Sequence, residues 1–288
     1  MLSHWILAAR PKTLVVSLTP LLVGGALAYA DTGSFHLLPW LAALLAAMFI
    51  QIGTNLHNDA ADFDRGADTP ERIGPKRATA EGWLDSAMVK RGAAISFAIA
   101  FLLGIYLVWV GGWPIVILGL SSIAAGYAYT GGPRPIAYTP LGELFVLLFF
   151  GLAAVGGVYY LQTMTLTWSA AVAGIFVGLP AAAVLVINNY RDLDTDRRAK
   201  KHTLIHYIGR PAGRWLYGLM ILASLVLALM LNPTPPLRWL PLFALPRAVW
   251  LIHQLGVLPI DTRLNQLLAR TAQYQLLVGL LFSAGLLL

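Results

Sequence analysis

Two polar segments interrupt an otherwise apolar chain, and the first begins at Asn55. In helical register Asn55, Asp59 and Asp62 stand at i, i+4 and i+7, so one helix face presents an amide and two carboxylates. Two carboxylates one helical turn apart suit a hard divalent cation that keeps several waters and completes its shell with substrate phosphate. The spacing therefore predicts that Asp59 and Asp62 bind a metal ion.

The second polar segment repeats this arrangement. Asn188, Asp192 and Asp196 again share one helix face, at i, i+4 and i+8. Asp192 and Asp196 are therefore predicted to bind a second metal ion. Two such faces indicate two ions that grip one oligophosphate, with the rest of the chain as a hydrophobic container for the group attached to it. The repeat also suggests an internal duplication of helix groups.

Cations follow both motifs. They are Arg65, Arg72, Lys76 and Arg77 after the first motif, and Arg197, Arg198, Lys200 and Lys201 after the second. Fixed positive charges of this kind can hold phosphate oxygens. Near the N-terminus, Arg10 and Lys12 flank a proline, and they are interpreted either as an anchor at the membrane surface or as a phosphate contact.

Composition assigns the chain to the membrane proteins. It is 58% apolar and only 11% charged, with a mean hydropathy of +0.70, which excludes disorder and an ordinary soluble domain. The absence of cysteine excludes disulfides and thiolate chemistry. The net charge of +7 does not indicate a nucleic-acid partner, because the cations lie in short loops between apolar runs. We expect the lipid bilayer to be the partner of the apolar surface.

The apolar runs predict an all-α polytopic membrane protein, a bundle of about nine transmembrane helices around a central cavity. The predicted spans are residues 13–30, 37–58, 92–111, 113–130, 141–161, 168–190, 214–231, 237–256 and 271–288. Several are short or contain Gly and Pro, so a bundle of about eight is the alternative. No linker or shift in composition divides the chain, and residues 1–288 are predicted to form a single domain.

The distribution of charge predicts the orientation. Lys and Arg lie before the first span and in every second loop after it, whereas the alternate loops contain only Arg238. The positive-inside rule then places the N-terminus and both Asp-rich segments on the cytoplasmic side of the cell (inner) membrane. The first apolar run has no cleavage site after it and is predicted to be a retained helix.

Some polar residues fall within or beside the spans. A charge inside a span costs ~2–3 kcal/mol on insertion scales, so Glu143 and Arg247 are predicted to have a function or a buried partner rather than to face lipid. Tyr127 and Tyr129 are interpreted either as part of an interfacial aromatic belt or as the lining of a pocket mouth.

With these motifs in view, the chain resembles the UbiA superfamily of intramembrane prenyltransferases, and within it the 1,4-dihydroxy-2-naphthoate prenyltransferases of menaquinone synthesis. Their first motif is close to N-L-x-N-D-x-x-D-x-x-x-G-x-D-x-x-x-R-x-G-P-x-R, and the second to N-N-x-R-D-x-x-x-D-x-x-x-G-K-x-T-L. The first is matched by Asn55, Asn58, Asp59, Asp62, Gly66, Asp68, Arg72, Gly74, Pro75 and Arg77. The second is matched by Asn188, Asn189, Arg191, Asp192, Asp196, Lys201, Thr203 and Leu204.

The resemblance covers nearly the whole chain. It includes the R-P-K-T start, the Y-T-G-G-P turn with G-E after it, and L-N-x-x-L-x-x-T-A from Leu264 to Ala272. Gly66 stands where the 4-hydroxybenzoate and haem-type enzymes typically have a later Asp. One departure is Lys200, where the resembled group usually has Gly.

The resemblance implies an enzyme that transfers a polyprenyl group from polyprenyl diphosphate to 1,4-dihydroxy-2-naphthoate, with loss of CO₂ and diphosphate, giving demethylmenaquinone. Mg²⁺ would bridge the diphosphate and the four aspartates of the motifs. The residues then predicted to hold the diphosphate are Lys12, Asn55, Arg72, Arg77, Asn188, Arg191 and Lys201. Asp68 or Glu143 would orient or deprotonate the acceptor, and the prenyl tail would occupy an apolar tunnel that opens to lipid.

Two alternatives remain at this point. The acceptor could instead be homogentisate or 4-hydroxybenzoate, with the same donor chemistry. A secondary transporter of an anionic solute is the alternative from another class, but transporters place their ionisable residues near the middle of the bilayer. Here the charges cluster at the ends of the predicted helices.

Overall fold

The computed structural model describes residues 2–68, 72–231 and 237–288, with Lys12 described by its backbone alone. All regular structure in these ranges is helical. In chain order it consists of α1 Leu2–Ala9, α2 Pro11–Thr32, α3 Leu37–Asp64, α4 Ser86–Gly111, α5 Trp113–Ala128, a 3-10 turn Ile136–Tyr138, α6 Gly142–Leu147, a π-helical segment Leu148–Ala153, α7 Ala154–Thr163, α8 Trp168–Arg198, α9 Leu204–Leu231, a 3-10 segment Leu237–Ala244, α10 Leu245–Val257 and α11 Arg263–Leu287.

The predicted fold class is confirmed, and each predicted span corresponds to one helix or to two or three consecutive helical segments. Within the described ranges, 7 helices are long and apolar enough to cross a membrane. α5 is shorter, with 16 residues, and α11 is long but carries Arg263, Arg270 and Gln275 among its apolar residues. The structure thus supports a multi-pass bundle.

Several helices extend beyond their predicted spans at the end that carries the polar motifs. α3 continues to Asp64, and α8 continues to Arg198. Hydropathy detects only the apolar part of a helix, whereas backbone hydrogen bonding continues through the polar turns that follow. Both Asp-rich segments therefore lie on regular helix, which holds their side chains in fixed register.

α8 is the central helix of the bundle. Its apolar side packs against α9 and α11, and Phe176 meets Phe282 with ring centroids 5.1 Å apart. On another side α8 approaches the π-helical segment closely, because a Cβ on Gly151 would collide with the carbonyl of Gly174. Small residues allow two membrane helices to approach in this way. The π-helical segment also supplies Phe149 and Phe150 to the central cavity.

Candidate active site

A cavity of about 640 Å³ lies inside the bundle, with a polar mouth and apolar walls. The walls include Leu118, Phe145, Phe149, Leu161 and Leu185. Most of the predicted site residues line the mouth, namely Asn55, Asp62, Arg72, Arg77, Asn188, Asp192, Asp196 and Lys201. Asp59, Asp68, Glu143 and Arg191 do not line the cavity, and the side chain of Lys12 lies outside the described residues.

The cavity also reaches the lipid-facing surface of the bundle. Phe101 and Ile105 of α4 and Leu120 of α5 line the cavity and are each more than half exposed. A long apolar chain could therefore leave the interior between these helices.

Asp59 lies beneath the loop that follows α3. Its carboxylate accepts hydrogen bonds from the backbone N–H groups of Ala78 and Thr79, both at 3.0 Å, and from the Thr79 hydroxyl at 2.5 Å. Only 1% of Asp59 is exposed. The carboxylate predicted to bind metal thus fixes a backbone turn in this structure, and its role as a metal ligand stays a prediction.

Asp62, one turn further along α3, faces the cavity and joins three segments of the chain. Its Oδ2 is 2.8 Å from Arg77 Nη2 and 3.0 Å from Lys201 Nζ. The Tyr138 hydroxyl donates to Oδ1 at 3.0 Å. Burial and the negative charge of Asp62 raise the pKa of Tyr138. Asp62 therefore links the loops that follow α3, α5 and α8.

The second motif is more open. Arg191 donates to both oxygens of Asp192, at 2.7 Å and 2.5 Å, and also to the side-chain oxygen of Asn188 at 2.8 Å. The Asp196 carboxylate, which lines the cavity and is 9% exposed, accepts no hydrogen bond from any described residue. Of the four predicted metal ligands, Asp196 is the one whose carboxylate is left free for a ligand by the residues that the structure describes.

Asn265 of α11 connects the two Asp-rich regions. Its Oδ1 accepts from Arg191 at 2.5 Å, and its Nδ2 donates to the carbonyl of Ile73 at 3.1 Å. The loop that contains Ile73 passes close to both guanidinium groups, since a Cβ on Gly74 would lie 2.8 Å from Arg72 Nη2 and 2.9 Å from Arg191 Nη2. A side chain at position 74 would have to displace these guanidinium groups.

Lys200 ends α8 in a left-handed conformation, with φ of 56°. The N–H of Lys201 bonds to the carbonyl of Asp196 at 2.8 Å, which is the hydrogen-bond pattern of a Schellman cap. This conformation explains why the resembled group has Gly at this position, because a side chain is disfavoured there. The turn directs Lys201 back toward Asp62.

Three arginines crowd the mouth. Arg10 stands between α1 and α2 in a left-handed conformation, and its Nη2 donates to Asn58 Oδ1 at 3.3 Å. Burial, followed by the charges of Arg77 and Arg72, lowers the pKa of Arg10. Burial and Arg77 likewise lower the pKa of Arg72. A bound anion would relieve this repulsion, so the charges of these arginines favour an anionic ligand at the mouth.

Asp68 lies behind these arginines rather than at the cavity. Its Oδ1 is 2.8 Å from Arg72 Nη1 and 3.1 Å from Arg77 Nε, and 2% of its side chain is exposed. Although burial of Arg77 opposes the effect, the nearby Asp62 and Asp68 raise the pKa of Arg77. Asp68 therefore holds two arginines in place.

Among the residues that the structure describes, Asn189 connects Glu143 to the cavity. Asn189 Nδ2 donates to Glu143 Oε1 at 2.9 Å, and both side chains are buried. Asn189 lines the cavity, as does Tyr129. This confirms that Glu143 has a buried partner. Because the amide nitrogen is engaged by Glu143, the Asn189 carbonyl oxygen is the part left for a ligand.

The donor set at the mouth fits Mg²⁺. Asp62, Asp192 and Asp196 supply carboxylate oxygens, and Asn55 and Asn188 supply amide oxygens, which are ligands that a hard cation prefers. Among the described residues, no three His, Asp or Glu side chains form a cluster that could hold an ion alone. Such a site suits an ion that takes its remaining ligands from water and substrate phosphate.

Sequence reasoning omitted several residues from the predicted site. Arg10 was left open between anchor and phosphate contact, and Asn58 and Asn189 were motif positions without a role. Asn265 belongs to the matched L-N segment near the C-terminus, which was the available signal for it. Nothing in the sequence singled out Tyr138, since its contact with Asp62 joins residues 76 positions apart.

Comparisons with known proteins agree with this geometry. Residues 17–277 match the UbiA prenyltransferase family. The chain is 34% identical over 297 residues to the 1,4-dihydroxy-2-naphthoate octaprenyltransferase of Haemophilus influenzae, with 100% of this chain and 96% of that protein covered. It is 32% identical over 293 residues to the protein of the same name from Bacillus subtilis, with 97% and 90% covered.

Solved structures share the fold. A UbiA homolog from Aeropyrum pernix K1, without ligand, superposes with a TM-score of 0.72 at 17% sequence identity, covering 96% of this chain and 98% of that chain. A UbiA homolog from Archaeoglobus fulgidus bound to DMAPP and Mg²⁺ has a TM-score of 0.67 at 16% identity, covering 96% and 98%. By its sequence and its fold, the chain belongs to the UbiA prenyltransferase family.

Proposed function

We propose that this chain is a Mg²⁺-dependent prenyltransferase that moves a polyprenyl group from polyprenyl diphosphate to 1,4-dihydroxy-2-naphthoate in menaquinone synthesis. The observation that carries the proposal is the cavity itself, whose mouth combines oxygen ligands with crowded arginines and whose apolar walls lead toward lipid. The full-length relatives named 1,4-dihydroxy-2-naphthoate octaprenyltransferases support this acceptor.

The donor would bind with its diphosphate at the mouth and its tail in the apolar walls. Arg10, Arg72, Arg77 and Lys201 would neutralise the phosphate oxygens, and Asp192 and Asp196 would hold the cation from the other wall. Bound Mg²⁺ supplies further neutralisation of charge on the leaving diphosphate. Electrostatic stabilisation of this kind is most effective where charge develops in a water-poor site.

The reaction would break the allylic C–O bond, with the electron pair leaving on the diphosphate. The allylic cation would form beside Phe145, Phe149 and Tyr129, whose ring faces can stabilise a cation while the apolar walls exclude water. The ring carbon that carries the carboxylate would then form the new C–C bond. Loss of CO₂ would return an electron pair to the ring and give the prenylated naphthohydroquinone, whose oxidised form is demethylmenaquinone.

On the acceptor side, Glu143 would act as a positioning residue. Its hydrogen bond fixes the Asn189 amide so that the carbonyl oxygen can accept from an acceptor hydroxyl. Asp68, paired with Arg72 and Arg77, would position the diphosphate contacts. In this proposal neither carboxylate touches the acceptor, which replaces the earlier expectation that one of them orients or deprotonates it directly.

The test uses membranes that contain the protein, supplied with 1,4-dihydroxy-2-naphthoate, a polyprenyl diphosphate and Mg²⁺, with and without EDTA. Parallel reactions contain 4-hydroxybenzoate or homogentisate, and mass spectrometry follows the products. We expect a prenylated, decarboxylated naphthoquinone that EDTA abolishes, and none from membranes without the protein.

Each other outcome has a definite meaning. Product from 4-hydroxybenzoate or homogentisate alone would support the use of the prenyl diphosphate donor but contradict 1,4-dihydroxy-2-naphthoate as the acceptor. Product that persists undiminished in EDTA would overturn the metal dependence. No product from any acceptor, with the protein folded and inserted, would overturn the enzyme assignment and favour a transporter of anionic solutes.

A further inference from the structure

Two arginines on α10 and α11 stand around a tryptophan, away from the candidate active site. The guanidinium carbons of Arg247 and Arg270 each lie 4.9 Å from the centre of the Trp250 ring. The two like charges are therefore no more than about 10 Å apart. Arg270 is exposed, and Arg247 and Trp250 are half-buried.

The cluster faces outward from the bundle. On α11, Leu268 lines the central cavity, and Arg270 follows two residues later, about 200° around the helix. None of Arg247, Trp250 and Arg270 lines the cavity. The cluster is thus separate from the diphosphate site and is not explained by the proposed reaction.

The Arg247, Trp250 and Arg270 cluster lies some way along its helices from the end of the bundle that carries the polar motifs. Arg270 is seven residues from the start of α11 at Arg263, or about 10 Å along the helix, and Arg247 is ten residues before Val257, or about 15 Å. Arg247 is also the middle residue of the span Leu237–Val257, so its side chain lies deeper than that of an arginine near a helix end. A charge at this depth is accommodated by local thinning of the bilayer, which brings polar groups toward it. A phosphate that contacts both guanidinium groups would therefore lie below the general headgroup level, drawn toward the two charges.

Neither arginine has a partner for its charge among the described residues. No ion pair or hydrogen bond joins either side chain to that part of the chain, whereas Arg263, on the same helix, pairs with Asp261 at 2.6 Å. An uncompensated charge inside a membrane is costly, and two neighbouring like charges add repulsion. The arrangement calls for an anion from outside the protein.

We infer that Arg247 and Arg270 form a binding site for a lipid that carries a phosphate headgroup. Two guanidinium groups suit an anionic phosphate, because each can donate two parallel hydrogen bonds to its oxygens. Trp250 supplies a ring face that both guanidinium groups contact, with the acyl chains lying beside α10 and α11. Phosphate is the shared chemistry of an anionic phospholipid and of polyprenyl diphosphate.

The test compares wild-type protein with the double variant Arg247→Gln/Arg270→Gln, both extracted gently from the same membranes. Native mass spectrometry counts retained phospholipid. We expect wild type to retain one anionic phospholipid and the double variant to retain at least tenfold less, the loss expected when a charge-assisted hydrogen bond disappears. Arg263→Gln is the matched control and should retain as much lipid as wild type.

Displacement distinguishes the sources of phosphate. Phosphatidylglycerol, phosphatidylcholine, a short-chain prenyl diphosphate and inorganic phosphate are each titrated against the retained lipid. Displacement by phosphatidylglycerol identifies a phospholipid site, and displacement by the prenyl diphosphate alone identifies a second site for the donor. Displacement by inorganic phosphate at equal concentration would overturn the requirement for a lipid.

Further outcomes would also overturn the inference. They are no retained lipid on wild type, equal retention by the double variant, or equal loss in Arg263→Gln. If the glutamine pair fails to fold, Arg247→Lys/Arg270→Lys keeps both charges without the bidentate geometry. That pair should bind phosphatidylglycerol more weakly than wild type by about threefold or more, and unchanged binding would contradict the proposed guanidinium contacts.

Discussion

The two Asp-rich segments look alike in sequence but differ in their surroundings. At the end of α3, Asp59 and Asp62 are occupied by contacts within the protein, with a backbone turn for one and Arg77, Lys201 and Tyr138 for the other. Among the described residues, Asp192 at the end of α8 pairs only with its neighbour Arg191, and the Asp196 carboxylate has no partner. The aspartates of the first segment hold the loops around the mouth of the cavity in place. The second segment leaves the Asp196 carboxylate available to a ligand at the mouth.

The difference shows that a repeated N-x-x-x-D pattern does not assign equal roles. Helical register decides which residues share a face, and both segments obey it. The loops that return to each face decide whether a carboxylate is already satisfied. The residues after α3 fold back over Asp59, whereas the turn at Lys200 sends Lys201 across to Asp62 and leaves Asp196 uncovered.

The largest effect is expected for Asp196→Asn. Turnover should fall by about 10³-fold, because the carboxylate that would hold the cation against the diphosphate loses its charge. Thermal stability should stay within about 1 °C of wild type, since no described contact depends on this carboxylate. Steady-state rates and the Tm of the purified protein measure the two effects. Near-normal turnover would show that Asp196 does not bind the metal ion. The two Asp-rich segments would then not differ in having a carboxylate available for a ligand.

Asp59→Ala should reduce turnover mainly by lowering the stability of the folded protein. The change leaves the N–H groups of Ala78 and Thr79 and the Thr79 hydroxyl buried without an acceptor, at a cost of about 3 kcal/mol. We expect a clear drop in Tm together with reduced turnover, and Asp59→Asn should restore part of both. A variant with wild-type Tm and no activity would show instead that Asp59 is a metal ligand like those of the second segment.

Glu143→Ala should raise KM for the acceptor about tenfold, because Asn189 loses the hydrogen bond that fixes its amide. KM for the prenyl diphosphate should change less than about twofold. Glu143→Gln should recover most of the acceptor affinity, since its carbonyl oxygen can still accept from Asn189. If both variants lose turnover itself rather than affinity for the acceptor, Glu143 acts as a base and not through Asn189.

The smallest effect is expected for Lys200→Gly. Glycine adopts the left-handed conformation at the end of α8 without strain, so unfolding free energy should rise by about 0.5–1 kcal/mol. Turnover should remain within about twofold, because the Lys200 side chain makes no described contact with the site. Chemical denaturation measures the gain, with Lys200→Ala as the control that keeps the strain. A loss of turnover in the glycine variant would mean that the charge of Lys200 contributes to the site.

Much of the architecture was predictable. Each predicted apolar run corresponds to helical structure, and 7 of the helices are long and apolar enough to cross a membrane among the described residues. The period of the helix placed each Asn with its Asp residues on one face. Boundaries were less accurate at the polar end, where α3 and α8 continue to Asp64 and Arg198. The reason is that polar turns keep helical hydrogen bonds while losing the apolar signal from which a span is predicted.

The candidate site was only partly predictable. The carboxylates, amides and cations of the mouth follow from residue type and spacing, because hard cations and phosphates demand those groups. The positions of Asp59, Asp68 and Glu143 behind the cavity do not follow from spacing. Asp59 and Glu143 are held by residues that the local sequence pattern does not connect to them, such as Asn189 for Glu143. Asp68 pairs with two arginines of its own motif, but their spacing does not show that they hold it away from the cavity.

The sequence by itself determined that this is an α-helical membrane protein with two acidic faces, trailed by cations, around an apolar interior. Those properties depend on composition and on a short periodicity that each segment carries alone. Only the tertiary structure decided which carboxylates are satisfied and which are open. That depends on where distant loops return, as when Lys201 and Tyr138 meet Asp62 and Asn265 ties Ile73 to Arg191.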